Sequence, residues 1–177
     1  MAMVIVIMGV SGAGKTTLAE KLARELSAGY AEGDSYHTAA NIAKMATGTP
    51  LDDADRWPWL DLMAAEIDTW LTAGRDMVLS CSALKRVYRQ RLGLGRPGVQ
   101  LVYLDGSQDF IAQRLASRDG HYMPPSLLES QFATLEVPTD SEAPICVDIT
   151  LSSAEAIAAI KAGLTAKAVS LTPVTGG

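Results

Sequence analysis

Residues 9–16 read Gly9-Val10-Ser11-Gly12-Ala13-Gly14-Lys15-Thr16, a complete match to G-x-x-x-x-G-K-[ST]. The chemistry open to such a run is to hold a chain of phosphates. Its glycines let backbone N–H groups converge on phosphate oxygens, and a helix opening at Lys15 adds the partial positive charge of its N-terminus. Lys15 then reaches the β- and γ-phosphates, and the Thr16 hydroxyl ligates Mg²⁺. Gly9, Ser11, Gly12, Ala13, Gly14, Lys15, Thr16 and Thr17 are therefore the expected nucleotide contacts, with ATP as the nucleotide and Mg²⁺ as the cofactor. The motif does not say what receives the terminal phosphate.

A loop of this kind works only between a strand and a helix. Met3–Met8 is a continuous apolar run of the kind seen in a parallel strand covered on both faces. Leu18, Leu22 and Leu26 recur at i, i+4 and i+8, which predicts an amphipathic helix over 15–27. The alternation continues with a short segment over 30–34 and a helix over 38–47 that stops at Gly48-Thr49-Pro50. A charged turn over 52–56 follows, then a helix starting at Asp55 or Trp57 with Pro58 in its first turn. Its apolar stripe is Leu60, Met63, Ala64, Ile67 and Leu71. The second half predicts strands over 77–80, 99–104 and 145–151, and helices over 83–92, 107–117, 126–135 and 153–167. In the last helix Ile157, Ile160 and Leu164 face inward. Strand and helix in alternation mean an α/β, three-layer architecture: a parallel sheet with helices on both faces. We expect one domain over 1–168, a small lid at about 117–125 around Gly120 and two prolines, and a frayed tail over 169–177.

Bulk properties narrow the partners. The chain has 177 residues, is 48% hydrophobic and 20% charged, and carries a formal net charge of −5. That balance argues against nucleic acid, which needs a surplus of Lys and Arg. Arg89, Arg91 and Arg96 are expected on a solvated helix surface. The two cysteines, Cys81 and Cys146, have no metal or redox spacing and are expected as buried thiols in a reducing, cytoplasmic setting. The apolar N-terminus lacks a basic leader and a cleavage site and runs straight into the glycine loop, so it is expected to be a strand. No stretch of about 18 apolar residues exists to span a membrane.

The acceptor must be inferred from the remaining polar residues. No N-K-x-D guanine-reading stretch is present, and the strand over 77–80 ends in Ser-Cys-Ser without a carboxylate. The acid has to come from Glu32-Gly33-Asp34, whose segment ends on the same carboxyl edge of the sheet as the phosphate loop. Asp34 has two functional roles open to it, holding hydrated Mg²⁺ or accepting the acceptor hydroxyl's proton, besides capping the next helix. Phosphate loop, early Asp and a Gly/Pro lid together suit a small-molecule kinase. A polyhydroxy-acid acceptor needs one cation for its carboxylate and several polar groups for its hydroxyls. His37, Lys44, Asp53, Arg56, Lys85 and Arg86 are the candidates, joined by His121 and Gln131. Arg56 is preferred for the carboxylate because a guanidinium binds it through two parallel bonds; an ion pair with Asp52 or Asp53 is its simpler explanation. Trp57 and Trp59 are expected to pack. Arg114 and Arg118, four apart on one helix face, are like charges that a triphosphate would reconcile. Lid closure would carry Arg118 over the transferring group.

The segments GVSGAGKTT, EGDSYH, NIAKMATGTPLDDADRWPWL, CSALKRVYRQRL and HYMPPSLLESQFATLE together resemble the P-loop gluconokinase family, in the same order, over roughly residues 4–150. The resemblance implies transfer of the γ-phosphoryl group of ATP to the 6-hydroxyl of D-gluconate. It also implies a fold like those of adenylate and shikimate kinases, and members that are often homodimers. Glu32 stands where some relatives carry Asp. Two other readings compete: a kinase for a different hydroxy acid such as shikimate, and a module that holds ATP without turning it over.

Overall fold

The structure, a computed structural model, describes residues 1–118 and 125–170. Most of the expected lid, His121 and the tail from 171 lie outside the described residues. In chain order the elements are β1 (Val4–Met8), α1 (Lys15–Leu26), β2 (Gly29–Glu32), α2 (Ala39–Ala46), α3 (Asp53–Thr72) and β3 (Met77–Ser80). They continue with α4 (Arg86–Arg91), β4 (Val99–Asp105), α5 (Gln108–Ala116), α6 (Pro125–Thr134), β5 (Ile145–Asp148) and α7 (Ser153–Ser170). The strands form one parallel sheet in the order β2-β3-β1-β4-β5.

The central strand shows why the sheet needs a helix layer on each side. Successive side chains of a strand point to opposite faces, and in β1 both faces are buried. Ile5 and Ile7 enter one core with Leu18 and Leu22 of α1, Ile111 of α5 and Ile157 and Ile160 of α7. Val4, Val6 and Met8 enter the other, with Leu60, Met63 and Ile67 of α3. The apolar positions read from periodicity pack into these two cores, Ala64 excepted.

Several boundaries differ from expectation, each for a local reason. The charged turn at 52–56 is the start of α3. Asp52 accepts from the Asp55 amide at 2.8 Å, and Asp55 Oδ2 accepts from the Asp52 amide at 2.9 Å, a reciprocal capping box. Helix α3 therefore starts at Asp53, which puts Pro58 beyond the first turn. Helix α4 is shorter than 83–92 because Ala83 has φ 44° and Lys85 is extended. Residues 169 and 170, expected in the tail, continue α7. Cys81 is buried, but Cys146 is exposed: β5 is an edge strand, and only Ile145 and Val147 turn inward.

Arg89 is the largest departure. Instead of lying on a solvated surface, it is 1% exposed. Its Nε and Nη2 donate to the two carboxylate oxygens of Glu142 at 2.6 and 3.1 Å. Its Nη1 donates to the carbonyls of Ala83 and Leu84 at 3.0 and 3.1 Å. Arg91 and Arg96 do lie nearer the surface, paired with Asp61 and Asp68. Hydrogen bonds from Arg89, working against burial, hold the Glu142 carboxyl below the usual range. A folded-state value below the unfolded one of about 4.3 means a stabilising contribution that is whole above that pH and lost as pH falls through the folded value. Glu142→Gln should therefore cost about 3–5 kcal/mol, because it leaves a buried guanidinium uncompensated. Urea unfolding at pH 7 and pH 4 checks this, and the gap between variant and wild type should narrow at the lower pH.

Candidate active site

The phosphate loop joins β1 to α1. Gly12 and Gly14 have φ 82° and 92°, the left-handed region open to glycine at little cost. No side chain caps α1, and no acid lies in its first turn, so its N-terminal N–H groups stay open to an anion. The Lys15 ammonium donates to the Val10 carbonyl at 3.0 Å. Burial pushes the Lys15 pKa below the ordinary lysine range, against the opposing pull of the Asp34 and Glu32 carboxylates. Gln131 of α6 grips the same loop: its Oε1 accepts from the Ser11 amide at 2.6 Å, and its Nε2 donates to Ser11 Oγ at 2.8 Å.

Two cavities flank this loop. The smaller, about 160 Å³, is lined by Ala13, Gly14, Thr17, Arg114 and Arg118 together with residues of β5 and the turn after it. Arg114 donates to the carbonyls of Ala13 and Ile149 at 3.3 and 3.2 Å, and its guanidinium lies 5.4 Å from the centre of the Phe110 ring. Arg118, on the same lining, is exposed.

The larger cavity, about 700 Å³, opens on the other side of the loop and brings together Lys15, Glu32, Asp34, His37, Arg56 and Gln131. Here the acid beside the loop is Glu32. Its Oε2 accepts from Thr16 Oγ1 at 2.8 Å and from the Tyr30 hydroxyl at 2.6 Å. Tyr30 in turn meets Ser80 at 3.2 Å, at the end of the strand that lacks a carboxylate. Burial raises the Glu32 pKa, but the bonds from Tyr30, Thr16 and Ser80 outweigh it and hold the carboxyl below its usual range. Asp34 is free by comparison: its side chain is 81% exposed, and His37 Nε2 lies 3.9 Å from its Oδ1. Burial lowers the His37 pKa against the pull of Asp34, which favours the neutral imidazole. The His37 ring stacks on Trp59 with centroids 4.4 Å apart. Trp59 is buried and donates from Nε1 to the Gly33 carbonyl at 2.8 Å, so it braces the Asp34 segment from behind.

The other acceptor-side candidates divide. Asp53 and Lys85 do not line the cavity; Lys85 Nζ donates to both Asp53 oxygens at 3.0 and 3.1 Å. Lys44 pairs with Asp55 at 2.5 Å, tying α2 to the start of α3. Arg86 points elsewhere: its amide donates to Glu136 at 2.7 Å and its guanidinium to Ser141 at 3.3 Å. Sequence reasoning passed over Tyr30, Tyr88 and Gly33. A Cβ on Gly33 would sit 2.5 Å from the Ser80 carbonyl oxygen, so only glycine lets β2 close against the end of β3. Tyr30 and Glu32 share a face by the two-residue period of a strand, a signal the sequence did carry.

A family described as AAA domain matches residues 4–138. The chain is 51% identical over 138 residues to a gluconokinase of Gluconobacter oxydans, covering 78% of each chain. It is 43% identical over 137 residues to the thermosensitive gluconokinase of Escherichia coli, covering 77% of this chain and 73% of that one. Among solved structures it is similar to a gluconokinase from Sinorhizobium meliloti, with a TM-score of 0.85 and 42% identity over 96% of this chain and 95% of that one.

Proposed function

Since this chain belongs to the gluconokinase family, we infer that its cleft transfers the γ-phosphoryl group of ATP to the 6-hydroxyl of D-gluconate. One observation carries the reading. A narrow cavity with two arginines and a wide cavity with Asp34, His37 and Arg56 open on opposite sides of one phosphate loop. A nucleotide enters from the first and a hydroxylated anion from the second, and they meet at Lys15.

Each residue then has a part. Lys15 and the α1 N-terminus stabilise the charge that develops on the transferring group. Asp34, exposed into the wide cavity, orients the 6-hydroxyl and accepts its proton. Arg56 takes the carboxylate, and neutral His37 offers hydrogen bonds to the hydroxyls between. Arg114 and Arg118 hold the triphosphate on the nucleotide side. Thr16 and Glu32 offer hard oxygen donors that fit Mg²⁺. Among the described residues no cluster of three His, Cys, Asp or Glu could hold a metal alone, which suits an ion that arrives on nucleotide phosphates. When bound, that ion neutralises phosphate charge. Two free thiols, one of them exposed, accord with a cytoplasmic enzyme, and family resemblance supports a homodimer.

ADP release measured across sugar acids and polyols tests the reading. D-gluconate should support turnover, while glucitol and shikimate should support little. Faster release with shikimate would overturn the acceptor, and no release with any acceptor would favour a module that only holds ATP. Arg56→Lys should raise the KM for gluconate about tenfold, the loss of roughly one charge-assisted hydrogen bond, and leave kcat near its original value. Glucitol phosphorylated as well as gluconate would remove the carboxylate clamp.

A further inference from the structure

Arg56 lies beside a carboxylate that ought to consume it. Asp53 is one helical turn away on α3, yet Arg56 Nη1 stands 3.8 Å from Asp53 Oδ1, too far for a good hydrogen bond. What separates them is the hydroxyl of Tyr88 on α4. It donates to Asp53 Oδ1 and accepts from Arg56 Nη1 at 3.1 Å. Asp53 also accepts from Lys85, which bonds both of its oxygens. Tyr88 cannot drift: it is 3% exposed, with Arg56 and Lys85 each 5.6 Å from its ring centre and Trp57 edge-on at 5.9 Å. Arg56 and Tyr88 line the wide cavity, while Asp53 and Lys85 are not part of its lining.

We propose that Tyr88 is a positioning residue that keeps Arg56 available to the acceptor carboxylate by holding Asp53 away from it. A guanidinium has five N–H donors. Among the described residues only one is engaged, by the Tyr88 hydroxyl, so the fork that would grip a carboxylate is left open. Lys85, Asp53 and Arg56 together carry one net positive charge, which a monoanionic acceptor end balances. Without the hydroxyl, Arg56 would close onto Asp53 and form an internal ion pair that gluconate must break. The proposal rests on the reading of Arg56 as the carboxylate clamp.

Tyr88→Phe removes the oxygen and keeps the ring. The KM for gluconate should rise about tenfold, equivalent to one hydrogen-bonded contact to a charged group. The kcat at saturating gluconate and the KM for ATP should stay near wild type. Adding Asp53→Asn removes the competing charge, so the double variant should regain most of the lost affinity. A purely structural role for Tyr88 predicts the opposite, a second insult added to the first. Three results would overturn the proposal: an unchanged gluconate KM in Tyr88→Phe, a raised KM that Asp53→Asn does not relieve, or parallel losses in kcat and in ATP affinity. Arg56→Lys and Arg56→Ala assayed alongside separate the two levels. If they keep wild-type KM, the clamp itself fails and this proposal falls with it. If they lose affinity while Tyr88→Phe does not, only the role of Tyr88 is lost.

Discussion

Lys15→Ala should lower kcat by a factor of about 10²–10³ or more, the order expected when one preorganised donor to a developing charge is removed. The fold should be unaffected. Lys15 opens α1, where alanine is an excellent helix former, and the hydrogen bond its ammonium makes is to the Val10 carbonyl, within its own loop. A far-UV spectrum and an unfolding midpoint close to wild type, combined with a collapsed turnover, is the expected pair of results. Near-normal turnover would mean that the loop around Lys15 does not hold the transferring phosphate.

Asp34→Asn should have an effect of similar size, about 10²–10⁴ in kcat, the range of a lost general base, with a much smaller change in the gluconate KM. Asparagine keeps the shape but cannot take the proton of the attacking hydroxyl. Thr38, not Asp34, caps α2, and a second signature separates catalysis from a purely structural role for Asp34. The Asp34 carboxylate helps to raise the Lys15 pKa, while burial depresses it. Removing that charge lets the Lys15 value fall further, so the residual activity should fade at a lower pH on the alkaline side than in wild type. A rate profile recorded from pH 6 to 10 reads both. An unchanged rate would reduce Asp34 to a residue of the short helical turn over Gly33–Tyr36.

What could be read from the sequence was whatever depends on near neighbours. The strand over 4–8, the glycine loop and the stripe on α3 are local patterns, and local patterns fix local conformation. The start of α3 was also local: Asp52 and Asp55 have the spacing of a reciprocal cap, but the charges there suggested a turn. The residues misread depend on distant partners. Arg89 looks solvated among its basic neighbours because the carboxylate that buries it is Glu142, 53 positions along. Arg86 carries the same charge in the same segment, yet turns to Glu136 and Ser141. Composition cannot tell those two arginines apart; only the packing of α4 against the chain after α6 does. Glu32 shows the same limit within the site. Its importance lies in Thr16 and Tyr30 converging on it, and that convergence requires β2 to stand beside β3, with the phosphate loop rising from β1.

The strand order also bears on how the chain is made. The most apolar strand, β1, lies at the centre, and its partners begin at Met77 and Val99. On a ribosome, β1 emerges with both hydrogen-bonding edges bare and stays so until those later strands are synthesised. At about 5–20 residues per second, that wait lasts several seconds. Meanwhile α1 can form and cover one side of Ile5 and Ile7, but Val4, Val6 and Met8 stay uncovered until α3 has been made. A short, uncharged, β-branched segment with open edges is the kind of sequence that self-associates. The same centrality that fixes the phosphate loop in the finished enzyme leaves its first strand waiting longest for its partners as the chain is made.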